Sequence, residues 1–373
     1  MFRVPLLALV LAMTTSTATA ADNYWVFYGG YTGTKAGGEG IMVGTLDVKT
    51  GDLSKPELAV KVNNPSFLAI APGGKTLYAV GETEGPEGGG VYAYRIDPAT
   101  GKLTQLSKLM SGGDAPCHVV VDAAGKFAAV ANYTGGSVAV FSLNDDGSLK
   151  QRTAFVQLTG KSVNPGNQEA PHAHCAAFDP SGEHVFLCDL GTDKLRVFDL
   201  DRSTGAITPN AKLPFVAFPP GTGPRHIALT PDAKTAYVCG EINSTVNVLS
   251  LDLPGGKGEV TQTLSTLPKP TPGNSTAECT LHPSGKAVYV SNRGHNSVAA
   301  FGVGGKLTAL GEATAGINVP RNFAIDPTGR WMLVANQAGN DVTLFAVDGS
   351  GVPQPTGKTI ATPAPVCVKF LAR

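Results

Sequence analysis

The residues of this chain best suited to chemistry are a few arginines, glutamates and histidines placed at the ends of short β-rich stretches. Arg225 and Glu241 stand sixteen residues apart with a turn near the midpoint, so a hairpin would set them at the open ends of neighbouring strands. Such a pair is either a structural ion pair or a carboxylate base beside an anion-binding guanidinium. Arg293 and Arg321 stand at comparable places further along and extend the cationic set. Three guanidiniums facing one cavity would bind an anionic substrate or an oxyanion. His172 and His174 flank Ala173, His118 and His226 follow Cys117 and Arg225, and His295 follows closely on Arg293. Alternate residues of a strand share a face, so His172 and His174 would point together, as wall histidines or as two metal ligands whose third partner is not evident. Asp179 and Asp326 belong to Asp-Pro turns and read as turn formers. His184 and His282 sit beside such turns.

What could position these groups is a repeat. Roughly every 50 residues the chain returns to a short anchor, a β-rich stretch, a turn of the Asp-Pro-x-Gly-Lys type and a second strand. The anchors are Pro65-Ser66-Phe67, Pro116-Cys117-His118, His172-Ala173-His174, Pro224-Arg225-His226, Ala277-Glu278-Cys279, Pro320-Arg321-Asn322 and Pro365-Val366-Cys367. Short strands at that period predict an all-β fold, a seven-bladed β-propeller with four-stranded antiparallel blades. The chain would enter each blade at one face of the disc, turn at the opposite face and return. Anchors and the loops after the second strands therefore share one rim around the central channel. Arg225, Glu278 and Arg321 occupy the middle anchor slot, with His118, His174 and His226 in the third. After Pro365 only one strand's worth of chain remains, so N-terminal strands beginning near Tyr24 are expected to complete the last blade and close the ring.

Composition narrows the rest. In 373 residues, Lys plus Arg and Asp plus Glu balance at 29 each, with no basic stripe of the kind nucleic acid requires. Gly 46 and Pro 27 suit many strands joined by tight turns. Residues 1–20 carry Arg3, an apolar run and the ending Ala18-Thr19-Ala20, which reads as a secretory signal cleaved before Ala21. The mature domain then spans 21–373, and a periplasmic or secreted location is expected. The six cysteines are even in number, but several fall in matching repeat slots a blade apart, so buried free thiols are expected rather than disulfides.

Taken together, Pro171-His172-Ala173-His174, Gly223-Pro224-Arg225-His226, Gly240-Glu241, Ser291-Asn292-Arg293-Gly294-His295, Pro320-Arg321-Asn322-Phe323 and the opening Tyr28-Gly29-Gly30-Tyr31-Thr32 resemble the lactonase family of seven-bladed propellers. That family includes propeller-type 6-phosphogluconolactonases and fungal carboxymuconate lactonising enzymes. The resemblance implies a catalytic set falling on His174, Arg225, Glu241 and Arg293. Glu241 or His174, or His172 in its place, would act as general base, and the arginines would stabilise the oxyanion and hold a carboxylate or phosphate. His172, His118, His226, His295 and Arg321 would bind substrate, a small anionic or sugar-derived lactone. No cofactor and no metal are implied. An exported chain suits an unphosphorylated aldonolactone. The alternatives are a cycloisomerase acting on an unsaturated dicarboxylic acid and a non-catalytic exported propeller that binds a ligand or protein through its rim.

Overall fold

The fold comes from a computed structural model that describes residues 21–33, 37–85 and 88–373; the expected secretory signal lies outside them. Seven antiparallel sheets follow one another along the chain. Blades 1 to 6 have inner strands Leu68–Ile70, Pro116–Val121, Ala173–Phe178, Pro224–Leu229, Thr276–Leu281 and Pro320–Ile325. Blade 7 is built from both ends of the chain. Its inner strand, Pro365–Ala372, pairs with Asn23–Gly30, which pairs in turn with Gly40–Asp47. The expected ring closure is thus present, through a register running from Tyr24↔Ala372 to Gly30↔Pro365. In blades 3 and 7 the outer strand is interrupted, Ile207–Pro209 with Phe215–Ala217 and Asp52–Leu53 with Glu57–Lys61.

The strand sequences follow from depth. Second strands are covered by neighbouring blades on both faces, so they read as unbroken apolar runs. Phe127–Asn132 and Ala287–Asn292 are buried at every residue. Outer strands meet water on one face and alternate, as Lys257–Ser265 does throughout. At the far face the turn aspartates do the work expected of them. Asp179 Oδ1 accepts the N–H groups of Glu183 and His184 at 2.9 and 2.8 Å, and Asp326 Oδ1 those of Arg330 and Trp331 at 2.9 and 2.7 Å. All six cysteines are buried free thiols.

Two features set the rim. First, the residue that follows the second strand donates its backbone N–H to the carbonyl just before the inner strand. Glu82 bonds Asn64, Tyr133 bonds Ala115, Leu190 bonds His172, Glu241 bonds Gly223, Arg293 bonds Ser275, Gln337 bonds Val319, and Tyr31 bonds Ala364. Tyr31, Glu82, Tyr133, Leu190, Glu241, Arg293 and Gln337 are therefore equivalent positions. Second, the inner strand is bulged immediately afterwards in blades 2 to 7. The register skips past Cys117, His174, the pair Arg225 and His226, the pair Ala277 and Glu278, Arg321, and opposite Gly29 and Gly30 past Val366. A bulge leaves its extra residue unpaired and re-aims the side chain, here toward the axis.

This register corrects the sequence-based alignment by one residue in two blades. Blades 3 and 5 lack the anchor proline, and Ala173 and Thr276 take its slot. The middle slot is therefore Ser66, Cys117, His174, Arg225, Ala277, Arg321 and Val366. The third is Phe67, His118, Cys175, His226, Glu278, Asn322 and Cys367. Glu278 joins the histidines and His174 joins the arginines, the reverse of the expected assignment.

Candidate active site

The two slots form stacked rings on the axis. Middle-slot side chains, with Glu82 from the outer loops, enclose a tight cleft of about 10 Å³ at the rim, on the order of one water molecule. Third-slot residues close the inner end of a central channel of about 640 Å³ that runs to the far face. Phe67, His226 and Asn322 touch both spaces.

Arg225, Glu241 and Arg293 converge at the rim, as the hairpin spacing and the shared loops lead one to expect. Glu241 Oε2 lies 2.7 Å from Arg225 Nε and Oε1 lies 2.8 Å from Arg293 Nη2. The Arg225 Nε–H is not aimed along the short contact, so neither atom of that pair has a regular hydrogen bond among the described residues. Carbonyls of blade 5 fix both guanidiniums: Arg225 Nη1 reaches across from blade 4 to donate to Ala277 O at 2.7 Å, and Arg293 Nη2 donates within its own blade to Thr276 O at 2.9 Å. Arg225 is 2% exposed, so its charge has left water and depends on Glu241 for compensation. Burial alone would raise the Glu241 carboxyl, but Arg293, Arg225 and Arg321 together hold it below the usual carboxylate range. Burial pushes Arg293 down to about 10, against the pull of Glu241.

Arg321 completes the cationic arc from the other side. Its guanidinium lies over the Tyr31 ring at 5.7 Å, and Tyr31 Oη donates to Glu82 Oε1 at 3.0 Å. Burial works against the Arg321 charge, yet Tyr31, Glu82 and Glu241 raise its affinity for the proton above the ordinary value. Glu82 Oε2 is buried without a partner among the described residues. Tyr31 and Glu82 were not singled out as functional in the sequence. They occupy the same repeat position as Glu241 and Arg293, which is the signal that identifies them.

The histidines divide. His174 lines the cleft and is 4% exposed. Burial, then Arg225, His226, Arg321 and Arg293, hold its pKa well below the ordinary value, so the ring is neutral. His172 precedes the strand. It stacks on Tyr133 at 4.6 Å and sets Nδ1 3.0 Å from Tyr133 O, while His174 meets the edge of the same ring at 5.4 Å. The expectation that His172 and His174 share a strand face fails because Ala173 starts the strand and the bulge at His174 breaks the alternation. Among the described residues no group of three or more His, Cys, Asp or Glu could hold a metal ion. His118 lies in the lower ring, packed on Phe67 at 4.1 Å with Nε2 3.4 Å from Cys175 Sγ. His226 sits between it and His174, at 5.4 and 5.2 Å. His295 is held in its loop by Ser297 Oγ, 2.9 Å from Nδ1, and by Asn274; it does not line the cleft.

A buried guanidinium cluster at the mouth of a seven-bladed propeller, with imidazoles beneath it, is an arrangement able to hold negative charge away from bulk water. The family model described as lactonase, 7-bladed beta-propeller matches residues 26–370, and the chain belongs to that family. It is 38% identical to a 6-phosphogluconolactonase of Bacillus subtilis over 92% of this chain and 98% of that protein. A 6-phosphogluconolactonase of Formosa agariphila is 32% identical over 81% and 86% of the two chains. The solved structure of a periplasmic gluconolactonase from Pseudomonas aeruginosa superposes with a TM-score of 0.86 at 30% identity, covering 94% of this chain and 99% of that one. By family, the protein is a lactone hydrolase resembling 6-phosphogluconolactonase. No helix among the described residues is long and apolar enough to cross a membrane.

Proposed function

We propose that the protein hydrolyses a sugar aldonolactone at the rim, with the lactone carbonyl over the cleft and its oxygen against Arg225 and Arg293. The observation that carries this reading is the convergence of three guanidiniums on two carboxylates. Among the described residues, Arg225, Arg293 and Arg321 against Glu241 and Glu82 leave one positive charge unmatched, and the tetrahedral oxyanion of ester hydrolysis supplies one negative charge. Fixed donors in a water-poor cleft need little reorganisation as that charge develops.

Glu241 is poorly placed to be the base. Two guanidiniums hold it ionised and weakly basic, and its service is to pin them. His172 is committed to Tyr133. Proton transfer therefore falls to a neutral imidazole of the cleft, and His174 faces the arginines to bind the substrate or its water. A recess of about 10 Å³ accepts water rather than a sugar ring, so the lactone docks above it and is attacked from below.

One unmatched charge suits an unphosphorylated lactone better than a phosphorylated one, whose dianion would need more cation than the cleft holds. The likeness to a periplasmic gluconolactonase favours the same choice, as does the exported character expected of the N-terminus. Proton release measured at constant pH, above the uncatalysed rate, tests this with gluconolactone and 6-phosphogluconolactone. The expected result is hydrolysis of both with the higher kcat/KM for gluconolactone. A higher value for the phosphorylated lactone would reverse the substrate assignment, and hydrolysis of neither would end the reading.

A further inference from the structure

The lower ring holds an acid–imidazole pair that the arginine cluster does not use. Glu278 of blade 5 reaches across to His226 of blade 4, with Oε1 2.9 Å from Nδ1. The N–H of Cys279 donates to the same oxygen at 2.9 Å, and Asn322 Nδ2 donates to Oε2. The Asn322 amide is fixed in that sense because its Oδ1 accepts the N–H of Val368 at 2.9 Å. Donors on both oxygens hold Glu278 as the carboxylate. A carboxylate only accepts, so the proton of the neutral His226 ring is on Nδ1 and the lone pair on Nε2. That Nε2 is buried and has no hydrogen-bond partner among the described residues, in a ring that borders the one-water recess. Buried polar atoms are rarely left unpaired in a purely structural pair.

We propose that His226, oriented by Glu278 and Asn322, is the proton-transfer group of lactone opening. Nε2 takes a proton from the recess water as the water oxygen bonds to the carbonyl carbon, forming the tetrahedral oxyanion. As that intermediate collapses, the bond from carbon to the ring oxygen breaks, and Nε2 returns the proton to this oxygen as a hydroxyl. The new carboxylic acid loses its own proton to solvent. The assignment rests on the lactonase reading and names the base within it.

The competing groups are disfavoured by their neighbours. His174 faces Arg225, His226, Arg321 and Arg293, and among the described residues its ring is bonded to no carboxylate, Nδ1 meeting Cys117 Sγ at 3.8 Å. His118 faces His226, Lys369 and Arg225 in the same situation. His226 also feels burial, Arg225 and Lys369, but the directly bonded Glu278 offsets part of that loss. Glu82 sits against Arg321 and Tyr31, and a carboxylate is a far weaker base than imidazole near neutral pH.

The test is the pH dependence of steady-state hydrolysis by wild type, His226→Gln, Glu278→Gln and Glu82→Gln, with folding checked by circular dichroism. His226→Gln is expected to lose about 100-fold or more in kcat with KM changed little. Glu278→Gln removes the carboxylate that favours the imidazolium while Arg225, Lys369, His118 and His174 still face the ring. It should therefore lower kcat and move the acid limb of kcat/KM to lower pH. In wild type that limb should coincide with the titration of the His226 ring followed by NMR, which stands even if His226→Gln does not fold. Turnover retained in His226→Gln, an acid limb that stays in place in Glu278→Gln, a limb that follows another histidine, or loss confined to Glu82→Gln would each overturn the assignment while leaving the lactonase reading intact. A wild-type protein that opens no lactone would remove the lactonase reading first and this one with it.

Discussion

At the scale of single residues, the site is a set of charges and imidazoles taken out of water and made to compensate one another. Burial is the largest influence on Glu241, His118 and His174, and its effect depends on what stands nearby. Glu241 has arginines and stays ionised, whereas the two histidines have cations and stay neutral. The histidines link stability to pH. Their folded pKa values lie below the unfolded value of about 6.5, so as pH falls below that point the unfolded chain takes up protons that the folded chain refuses. Stability must fall with pH in this window, by up to about 1.4 kcal/mol per unit for each such histidine. Urea midpoints at pH 7.5 and 5.5 should show the loss, and His118→Asn should flatten the slope. A midpoint unchanged across that range would contradict the burial argument.

At the scale of elements, the bulges and the strained residues before the anchors do the positioning. Asn64, Ala115, Val319 and Ala364 precede anchor prolines with φ of 44, 51, 53 and 35°, in the left-handed region that costs about 1–2 kcal/mol for residues other than glycine. Gly223 fills the same place at 63° without that cost. Val319 is the clearest case because it is β-branched. Val319→Gly should hold or raise the free energy of unfolding, by up to about 1 kcal/mol after the extra freedom of glycine in the unfolded chain is subtracted. A loss of more than about 1 kcal/mol in calorimetry would show that the kink is not strained. These elements also mark what the sequence could tell. Proline anchors, Asp-Pro turns and the strand period were legible, and with them the blades, the shared rim and the meeting of Arg225, Glu241 and Arg293. The slot order in blades 3 and 5 was not, because Ala173 and Thr276 replace the proline that marks the register. The pairing of His226 with Glu278 was hidden for the same reason, since a bulge changes a side chain's direction without a residue type of its own.

At the scale of the whole molecule, the ring is closed by strands from opposite ends of the chain, and the site depends on that closure. Tyr31 joins the Arg321 side from the N-terminal segment, while Val366 and Lys369 come from the C-terminal strand. Chain termini ordinarily fray, but Tyr24 to Tyr28 are buried and paired on both sides. Hydrogen exchange should find their amides among the slowest, exchanging only with global unfolding. Fast exchange there would mean that the ring opens without unfolding.

The central claim is that the buried guanidiniums at the rim stabilise the oxyanion formed when a lactone is opened. The measurement that tests it most directly is kcat for gluconolactone hydrolysis by Arg225→Ala against wild type, both shown to be folded. Loss of an oxyanion donor predicts a fall of about 100-fold to 1,000-fold. A folded Arg225→Ala protein that keeps turnover within a few-fold of wild type would contradict the account.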